Sequence, residues 1–188
     1  LMFAKFSPDG KRVGYVRETF QSAAVIEEFI DGPEFHVLVW GNTPPTVLPA
    51  VQLEYGHTAD WHDRLYTYEA KFDEHSAAMQ QIRFLCPAML EPLTRRSIEA
   101  VTLQAYRTLG CRDYTRVDVR VRDGQAYVID VNANPDISSF SVAVMAAAAA
   151  GFDYNQMVTQ IVRFAAERWP VRRPTLLPAQ HQWTADPN

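Results

Sequence analysis

The stretch TRVDVRVRDGQAYVIDVNANP, which spans residues 115–135, determines the fold class of this 188-residue chain. Apolar and polar residues alternate over residues 115–121, and the mostly apolar run at 126–132 returns after a turn, which predicts two strands. Asp123-Gly124 between them is typical of a tight hairpin turn. In each strand alternation predicts one apolar face, formed by Val117, Val119 and Val121 in the first and by Tyr127, Ile129 and Val131 in the second.

The opposite faces carry Arg116, Asp118 and Arg120 in the first strand and Val128, Asp130 and Asn132 in the second, and the register decides which of them meet. A three-residue loop pairs Asp118 with Asp130 and Arg116 with Asn132, so that all four side chains share one face. A regular two-residue loop places the two aspartates on opposite faces. A shared site on this hairpin therefore predicts either the three-residue loop or a β-bulge.

Two carboxylates that face each other across a hairpin repel, and a bound cation removes that repulsion. Magnesium prefers oxygen ligands and is commonly held by one or two carboxylates together with phosphates and water. Asp118, Asp130 and the amide oxygen of Asn132 are therefore candidate metal ligands. The hairpin alone leaves a second interpretation open, namely a solvated face with scattered charges.

Alternation and helical spacing elsewhere predict an α+β fold, an antiparallel sheet with packed helices. Residues 12–21 are ambiguous and are interpreted as a short helix, and prolines push the strand at 47–53 toward a sheet edge. The helix at 93–109 has Ile98, Val101, Ala105 and Leu109 on one face. Strands are predicted at 1–6, 24–30, 35–39 and 47–53, a turn at 7–10, and helices at 93–109, 139–150 and 154–168.

The composition is that of a globular protein, with 47% hydrophobic and 21% charged residues and a net charge of −4. No basic stripe is present, so a nucleic-acid partner is not expected. No apolar run is long enough to span a bilayer, so we expect no membrane partner and a cytoplasmic location. Cys86 and Cys111 have no metal-ligand spacing and are expected to be reduced. We divide the chain into a domain at 1–169 and a proline-rich tail at 170–188.

Four motifs in order show a resemblance to a known family. They are EEFIDGPEF at 27–35, YEAKF at 68–72, CPA at 86–88, and RVD followed by DVNANP, which begin at Arg116 and Asp130. Together they resemble the ATP-grasp family and, within it, D-alanine–D-alanine ligase and its relatives, over about residues 24 to 166. The resemblance implies the ATP-grasp fold, with ATP as nucleotide and Mg²⁺ or Mn²⁺ as metal.

The same resemblance implies a role for each matching residue around the nucleotide. Glu27, Glu28 and Ile30 are expected to line the adenine pocket, partly through backbone groups. Glu34 is expected to hold the ribose hydroxyls. On the phosphate side the implied residues are Lys71 and, by a weaker match, Lys5.

Around the reacting groups, the resemblance implies that Arg116 stabilises the transferring phosphoryl group. Asp118, Asp130 and Asn132 are implied to hold the metal, and Ser141 matches the family's substrate serine. The implied reaction phosphorylates a small-molecule carboxylate with ATP, after which an amine attacks the acyl phosphate. Fixed cations and metals supply the charge neutralisation that phosphoryl transfer needs. Members of the family often form homodimers, so a homodimer is a further expectation.

Several positions depart from the family pattern. Asp130 stands where the family usually has Glu, and Asp136 stands where D-alanine–D-alanine ligases have Gly. An acid at position 136 repels a carboxylate and favours an amine, which makes D-alanine an unexpected substrate. The chain opens on Leu1, the family's N-terminal domain is not recognisable, and the lid between Gly10 and Phe20 is shortened or missing. The alternatives are therefore an active ligase, a non-catalytic nucleotide-binding module, and a structural interaction domain.

Overall fold

The computed structural model describes residues 2–6, 12–17, 25–56, 64–66, 70, 73 and 75–169. The predicted turn at 7–10, Lys71 and the tail at 170–188 lie outside these residues. The strands are β1 (Met2–Phe6), β2 (Arg12–Arg17), β3 (Val25–Glu28), β4 (Glu34–Trp40), β5 (Thr46–Val47), β6 (Val51–Tyr55), β7 (Ile82–Leu85), β8 (Tyr114–Arg122) and β9 (Gln125–Asn132). The helices are α1 (Ala77–Gln80), α2 (Pro92–Thr108), α3 (Val142–Ala149) and α4 (Tyr154–Arg168).

All strand pairs in the described residues are antiparallel, so the predicted sheet type is confirmed. One sheet has the strand order β1-β2-β3 and the other has the order β7-β6-β4-β8-β9, with β5 also pairing with β4. The interpretation of residues 12–21 as a helix is wrong for residues 12–17, which form β2 between β1 and β3. The edge prediction is wrong for β6, which pairs with β4 on one side and β7 on the other; Val47, at the start of the predicted strand, belongs to β5, which pairs with β4.

One face of the larger sheet packs against α2. Val37, Val117 and Val119 are fully buried there and meet Ile98 of the helix. Each such side chain contributes roughly 1.5–3 kcal/mol when it leaves water. Leu109, by contrast, is 63% exposed, because α2 ends at Thr108 and the chain turns away at Gly110, where φ is +64°.

The opposite face of the sheet is divided between an apolar half and a polar half. Leu38 and Trp40 of β4 pack beneath α3 and α4, whose closest residues include Ala146 and Met157. The alanines of α3 allow that helix to approach the sheet closely. Asp153 caps α4 by accepting a hydrogen bond from the Gln156 amide at 2.8 Å. The two helices leave the other half of β4 to polar side chains.

No helix in the part of the chain that the structure describes combines the length and apolar character needed to cross a membrane. Cys86 and Cys111 are both half-buried free thiols.

Candidate active site

The β8–β9 hairpin turns through two residues and carries a bulge. Arg122 pairs with Gln125, and both turn residues have positive φ, +53° at Asp123 and +75° at Gly124. The prediction of a three-residue loop is therefore wrong, and the alternative prediction of a β-bulge is confirmed. It lies where the register shifts between Asp118 and Val119, with Ile129 as the extra residue of β9. A bulge of this kind bends the strand and changes which side chains share a face.

Beyond the bulge the predicted pairs are present. Asp118 lies opposite Asp130, and Arg116 lies opposite Asn132. The predicted alternation of β9 is wrong on the turn side of the bulge, where Val128 lies opposite Val119 of the apolar face and Tyr127 lies opposite Arg120. The bulge therefore unites on one face the groups that simple alternation separates.

Arg116 and Asp118 form a bidentate ion pair on this face. Arg116 Nε donates to Asp118 Oδ1 at 2.7 Å, and Nη2 donates to Oδ2 at 2.9 Å. The Asp118 side chain is 4% exposed and that of Arg116 is 14% exposed. Burial alone lowers the pKa of Arg116, but the hydrogen bonds and charge of Asp118 raise that pKa above its usual value. The guanidinium is therefore held charged beside the candidate metal ligands.

Glu34 lies at the start of β4 and is almost completely buried. Its Oε2 accepts hydrogen bonds from Tyr55 Oη at 2.8 Å and from Arg120 Nε and Nη2 at 3.0 and 2.8 Å. Burial acts to raise its pKa, but the hydrogen bond from His36, the charge of Arg120 and the remaining contacts lower that pKa to about 2. Glu34 is thus a buried, ionised carboxylate with one oxygen heavily engaged.

His36 lies between the two buried carboxylates and was not predicted as a site residue. Its Nε2 is 3.3 Å from Glu34 Oε1 and 3.6 Å from Asp118 Oδ2, and its side chain is fully buried. The sequence signal was its position two residues after Glu34, on the same face of β4. The decisive fact is that His36 pairs with Asp118 between β4 and β8, which local sequence does not reveal.

Tyr66 covers this group of side chains. Its ring centre lies 5.4 Å from that of His36, and it also packs against Phe84 at 6.1 Å. Burial raises the pKa of the Tyr66 hydroxyl; the charge of Arg116 opposes this rise and that of Asp118 adds to it. The phenol therefore stays protonated within reach of both charges.

The residues predicted for the adenine pocket lie where β3 leads into β4. Glu27 and Glu28 are exposed. Glu28 forms an ion pair with Arg122, in which Arg122 Nη1 lies 2.8 Å from Glu28 Oε1. Ile30 is buried, and its carbonyl accepts a hydrogen bond from Arg120 at 3.3 Å. This segment therefore contacts the same arginine that binds Glu34.

Ser141 and Lys5 occupy separate elements. Ser141 is the N-cap of α3, where its hydroxyl accepts a hydrogen bond from the Val144 amide at 3.4 Å. Lys5 lies on β1 opposite Gly14, and only its backbone is described. Lys71 lies outside the described residues. The structure therefore brings together Glu34, Arg116, Asp118, Asp130 and Asn132 on adjacent strands of one sheet.

Comparison with known proteins places this sheet in a family. The sequence matches the family described as D-ala D-ala ligase C-terminus over residues 14–163. The chain belongs to this family. The predicted resemblance is thereby confirmed, and the fold is that of the ATP-grasp C-terminal part of these ATP-dependent ligases.

Individual proteins with similar sequences support this family membership. The uncharacterized protein y4sG of Sinorhizobium fredii (strain NBRC 101917 / NGR234) is 38% identical over 148 residues, 78% of this chain and 42% of the relative. The D-alanine–D-alanine ligase of Alcanivorax borkumensis (strain ATCC 700651 / DSM 11573 / NCIMB 13689 / SK2) is 34% identical over 152 residues, 80% of this chain and 45% of that ligase. The chain thus spans less than half the length of these curated relatives.

A solved structure shows the same fold. The D-alanine–D-alanine ligase of Bacillus anthracis complexed with ATP has a TM-score of 0.60 and 23% sequence identity, and the match covers 77% of this chain and 42% of that one.

In this member of the D-alanine–D-alanine ligase family, the side-chain oxygens on one face of the β8–β9 hairpin suit a hard divalent cation. Asp118 and Asp130 are directly opposed, which costs repulsion without a cation, and Asn132 adds an amide oxygen on the same face. Among the described residues, no cluster of three or more His, Cys, Asp or Glu side chains forms a metal site. Magnesium needs no such cluster, because phosphates and water complete its octahedron.

Proposed function

We propose that this chain carries the ATP- and metal-binding part of an ATP-dependent carboxylate–amine ligase that works through an acyl phosphate. The observation that carries the proposal is the direct opposition of Asp118 and Asp130 beside the buried Arg116–Asp118 ion pair. A plain interaction domain has no use for two opposed carboxylates, because cross-strand like charges destabilise a hairpin. Family membership supports the same assignment.

Arg116 is the group we assign to the transferring phosphoryl. A guanidinium has five N–H donors, and two of those of Arg116 are used on Asp118. Its remaining donors have no partner in the part of the chain that the structure describes, and we assign them to the negative charge on the phosphoryl oxygens during transfer. A substrate carboxylate oxygen attacks the γ-phosphorus while the bond to ADP breaks; the amine then attacks the acyl carbon, phosphate leaves, and the nitrogen loses a proton.

The metal ligands we assign are Asp118, Asp130 and Asn132. Bound Mg²⁺, or Mn²⁺ in its place, supplies charge neutralisation for the phosphate oxygens. Asp130 is exposed, so its carboxylate is directly accessible from solvent. Asp118 is held by Arg116, and because a carboxylate has about four lone-pair sites it can accept both the guanidinium and a cation.

The nucleotide is assigned to the segment around β3 and the start of β4. Glu27, Glu28 and Ile30 are proposed for the adenine and Glu34 for the ribose. Among the described residues, Glu34 Oε1 contacts only His36, and a carboxylate oxygen with one partner retains capacity to accept from a hydroxyl. Lys5 and Lys71 remain proposals for the phosphates.

Asp136 bears on the substrate class. It is exposed, and both of its carboxylate oxygens accept hydrogen bonds from Ser138, from the amide at 2.8 Å and the hydroxyl at 2.7 Å. These hydrogen bonds hold its pKa below the usual value, so it is ionised at neutral pH. We propose that this anion favours a small amine and disfavours D-alanine's carboxylate, with Ser141 also on the substrate side.

The remaining proposals concern the partners, the location and the assembly of the protein. The proposed partners are small-molecule carboxylate and amine substrates rather than nucleic acid or membranes, the location is the cytoplasm, and a homodimer is proposed from the family. The second candidate is a non-catalytic nucleotide-binding module, which retains the hairpin site without turnover.

The first test is calorimetric titration of this chain with ATP, with Mg²⁺ and then with EDTA. We expect binding that requires Mg²⁺. Binding that EDTA leaves unchanged contradicts the metal assignment. A second measurement follows ADP release with mixtures of small carboxylates and amines. Release that needs both substrates supports a ligase, whereas Mg²⁺-dependent binding without release from any mixture favours the non-catalytic module.

A further inference from the structure

The imidazole of His36 lies at the centre of the polar face, and none of the roles predicted from the sequence belongs to this residue. It is completely buried on β4, and cross-strand pairing places it against Asp118 of β8. Its Nε2 faces two carboxylate oxygens, Glu34 Oε1 at 3.3 Å and Asp118 Oδ2 at 3.6 Å. The histidine therefore lies between the proposed ribose carboxylate and a proposed metal ligand.

The other ring nitrogen identifies the tautomer. Nδ1 of His36 is buried and has no hydrogen-bond partner in the part of the chain that the structure describes. A proton on Nδ1 would be a buried donor without an acceptor among the described residues, which is costly, whereas a proton on Nε2 is donated to Glu34 Oε1 at 3.3 Å. The ring therefore carries its proton on Nε2.

We propose that His36 is a positioning residue that connects the nucleotide half of the site to the metal half. Its Nε2–H donates to Glu34 Oε1 at 3.3 Å, and the same nitrogen lies 3.6 Å from Asp118 Oδ2, so the N–H dipole adds an electrostatic contact to the bidentate guanidinium that holds Asp118. Groups of this kind beside metal ligands commonly change metal affinity about 10- to 100-fold. The metal-positioning part rests on the proposed function; the tautomer does not.

The first experiment measures the tautomer directly. Two-bond ¹H–¹⁵N NMR spectra of the ¹⁵N-labelled chain at neutral pH distinguish a protonated Nε2 from a protonated Nδ1. The His36 signals are assigned as those that disappear in the His36→Gln variant but remain in His75→Gln, in which an exposed histidine is replaced. A bare Nδ1 with a protonated Nε2 supports the proposal, and a proton on Nδ1 overturns it.

The second experiment measures the Mg²⁺ concentration that half-saturates ATP binding. His36→Leu fills the space without a donor, whereas His36→Gln places an amide N–H near the position of Nε2. We expect His36→Leu to raise the Mg²⁺ midpoint about 10- to 100-fold and His36→Gln to recover most of that loss. The control is His75→Leu, which should bind like wild type.

Thermal unfolding of each variant separates positioning from packing. His36→Leu should lower the melting temperature, because buried Glu34 loses a hydrogen bond, whereas His36→Gln should restore most of that loss; the Mg²⁺ midpoints are therefore measured well below the melting temperature of each variant. Equal Mg²⁺ midpoints in wild type and His36→Leu overturn the positioning role while the proposed function stands. Absence of Mg²⁺-dependent ATP binding in wild type overturns the proposed function and the metal part of this proposal together, and the NMR result alone then decides the tautomer.

Discussion

Asp118 lies directly opposite Asp130 across the β8–β9 hairpin even though the connecting turn has only two residues. In a regular hairpin with that turn, Asp118 would face Ile129, and Asp130 would join Val117 on the apolar face. The bulge at Ile129 shifts the register by one residue and brings the two carboxylates together. The opposition is thus specified by the bulge, and it places both carboxylates beside the guanidinium of Arg116.

Asp130→Asn should separate metal binding from stability. Asp130 is exposed and has a like-charged neighbour, so its neutralisation should change the free energy of unfolding by less than about 0.5 kcal/mol. The Mg²⁺-dependent affinity for ATP should fall at least about tenfold, because one anionic ligand is lost. Calorimetry and urea denaturation measure the two quantities. Asp123→Asn, at the exposed tip of the same hairpin, is the matched control, and an equal loss of affinity there would contradict the assignment.

Asp118→Asn should abolish Mg²⁺-dependent ATP binding and should also destabilise the fold. Alternation alone places Asp118 on a polar face of the hairpin, where such a change would cost little stability. The structure shows instead that Asp118 is 3% exposed and accepts both hydrogen bonds of Arg116. Weakening these charged hydrogen bonds should cost about 1.5–3 kcal/mol. If the variant binds ATP with Mg²⁺ like wild type when measured well below its melting temperature, the metal assignment fails.

Glu34 should make stability depend on pH in the acid range. Its pKa is about 2 in the folded chain and 4.5 in a model peptide, so the unfolded chain binds more protons between these values. The stabilisation is therefore complete above about pH 4.5 and is lost as pH falls toward 2. Glu34→Gln should cost about 3–5 kcal/mol at pH 7, because Arg120 is left buried without its carboxylate.

Urea denaturation across this pH range checks the Glu34 prediction. The difference between wild type and Glu34→Gln should narrow steadily as the solution is acidified from pH 4.5. Glu99→Gln, which replaces an exposed acid on α2, serves as the control and should change the free energy of unfolding by less than about 0.5 kcal/mol. A constant difference between wild type and Glu34→Gln would show that ionised Glu34 does not stabilise the fold.

Gly32→Ala should move the segment between β3 and β4 away from β8. A Cβ atom at Gly32 would lie 1.8 Å from the Val121 carbonyl oxygen, so the backbones must separate. The cost should be about 1–3 kcal/mol, with weaker ATP binding because Ile30 and Glu34 flank this contact. The control is Gly56→Ala, whose Cβ would meet the Gln81 carbonyl at an ordinary 3.4 Å. ATP affinity equal to that of wild type in Gly32→Ala would show that this contact does not shape the nucleotide pocket.

Much of the fold could be predicted because its signals are local. The helix from Tyr154 to Arg168 follows from apolar spacing, and its observed bounds are the predicted ones. The β8–β9 hairpin follows from alternation and from Asp123-Gly124. Residues 12–17 did not reveal a strand, because their six-residue pattern RVGYVR contains a glycine and gains its meaning only from pairing with β1 and β3.

The site was only partly predictable for the same reason. Family resemblance named Asp118, Asp130 and Arg116, but it did not reveal that Arg116 is already bound to Asp118. His36 and Arg120 escaped notice because their role depends on which strand lies beside β4, a long-range fact that no local pattern contains. The bulge was foreseen only as a condition that a shared site would require.

The bulge also separates the working end of the hairpin from its tip. The two-residue turn sets the register up to Val119, and the bulge at Ile129 then decides which face Asp130 joins; both turn residues are exposed. Lengthening both strands equally at the tip leaves the opposed carboxylates where they are. The hairpin tip is therefore a permissive insertion point, where an epitope or a fluorophore-binding peptide can be grafted to report on the chain without disturbing the carboxylates that we propose as metal ligands.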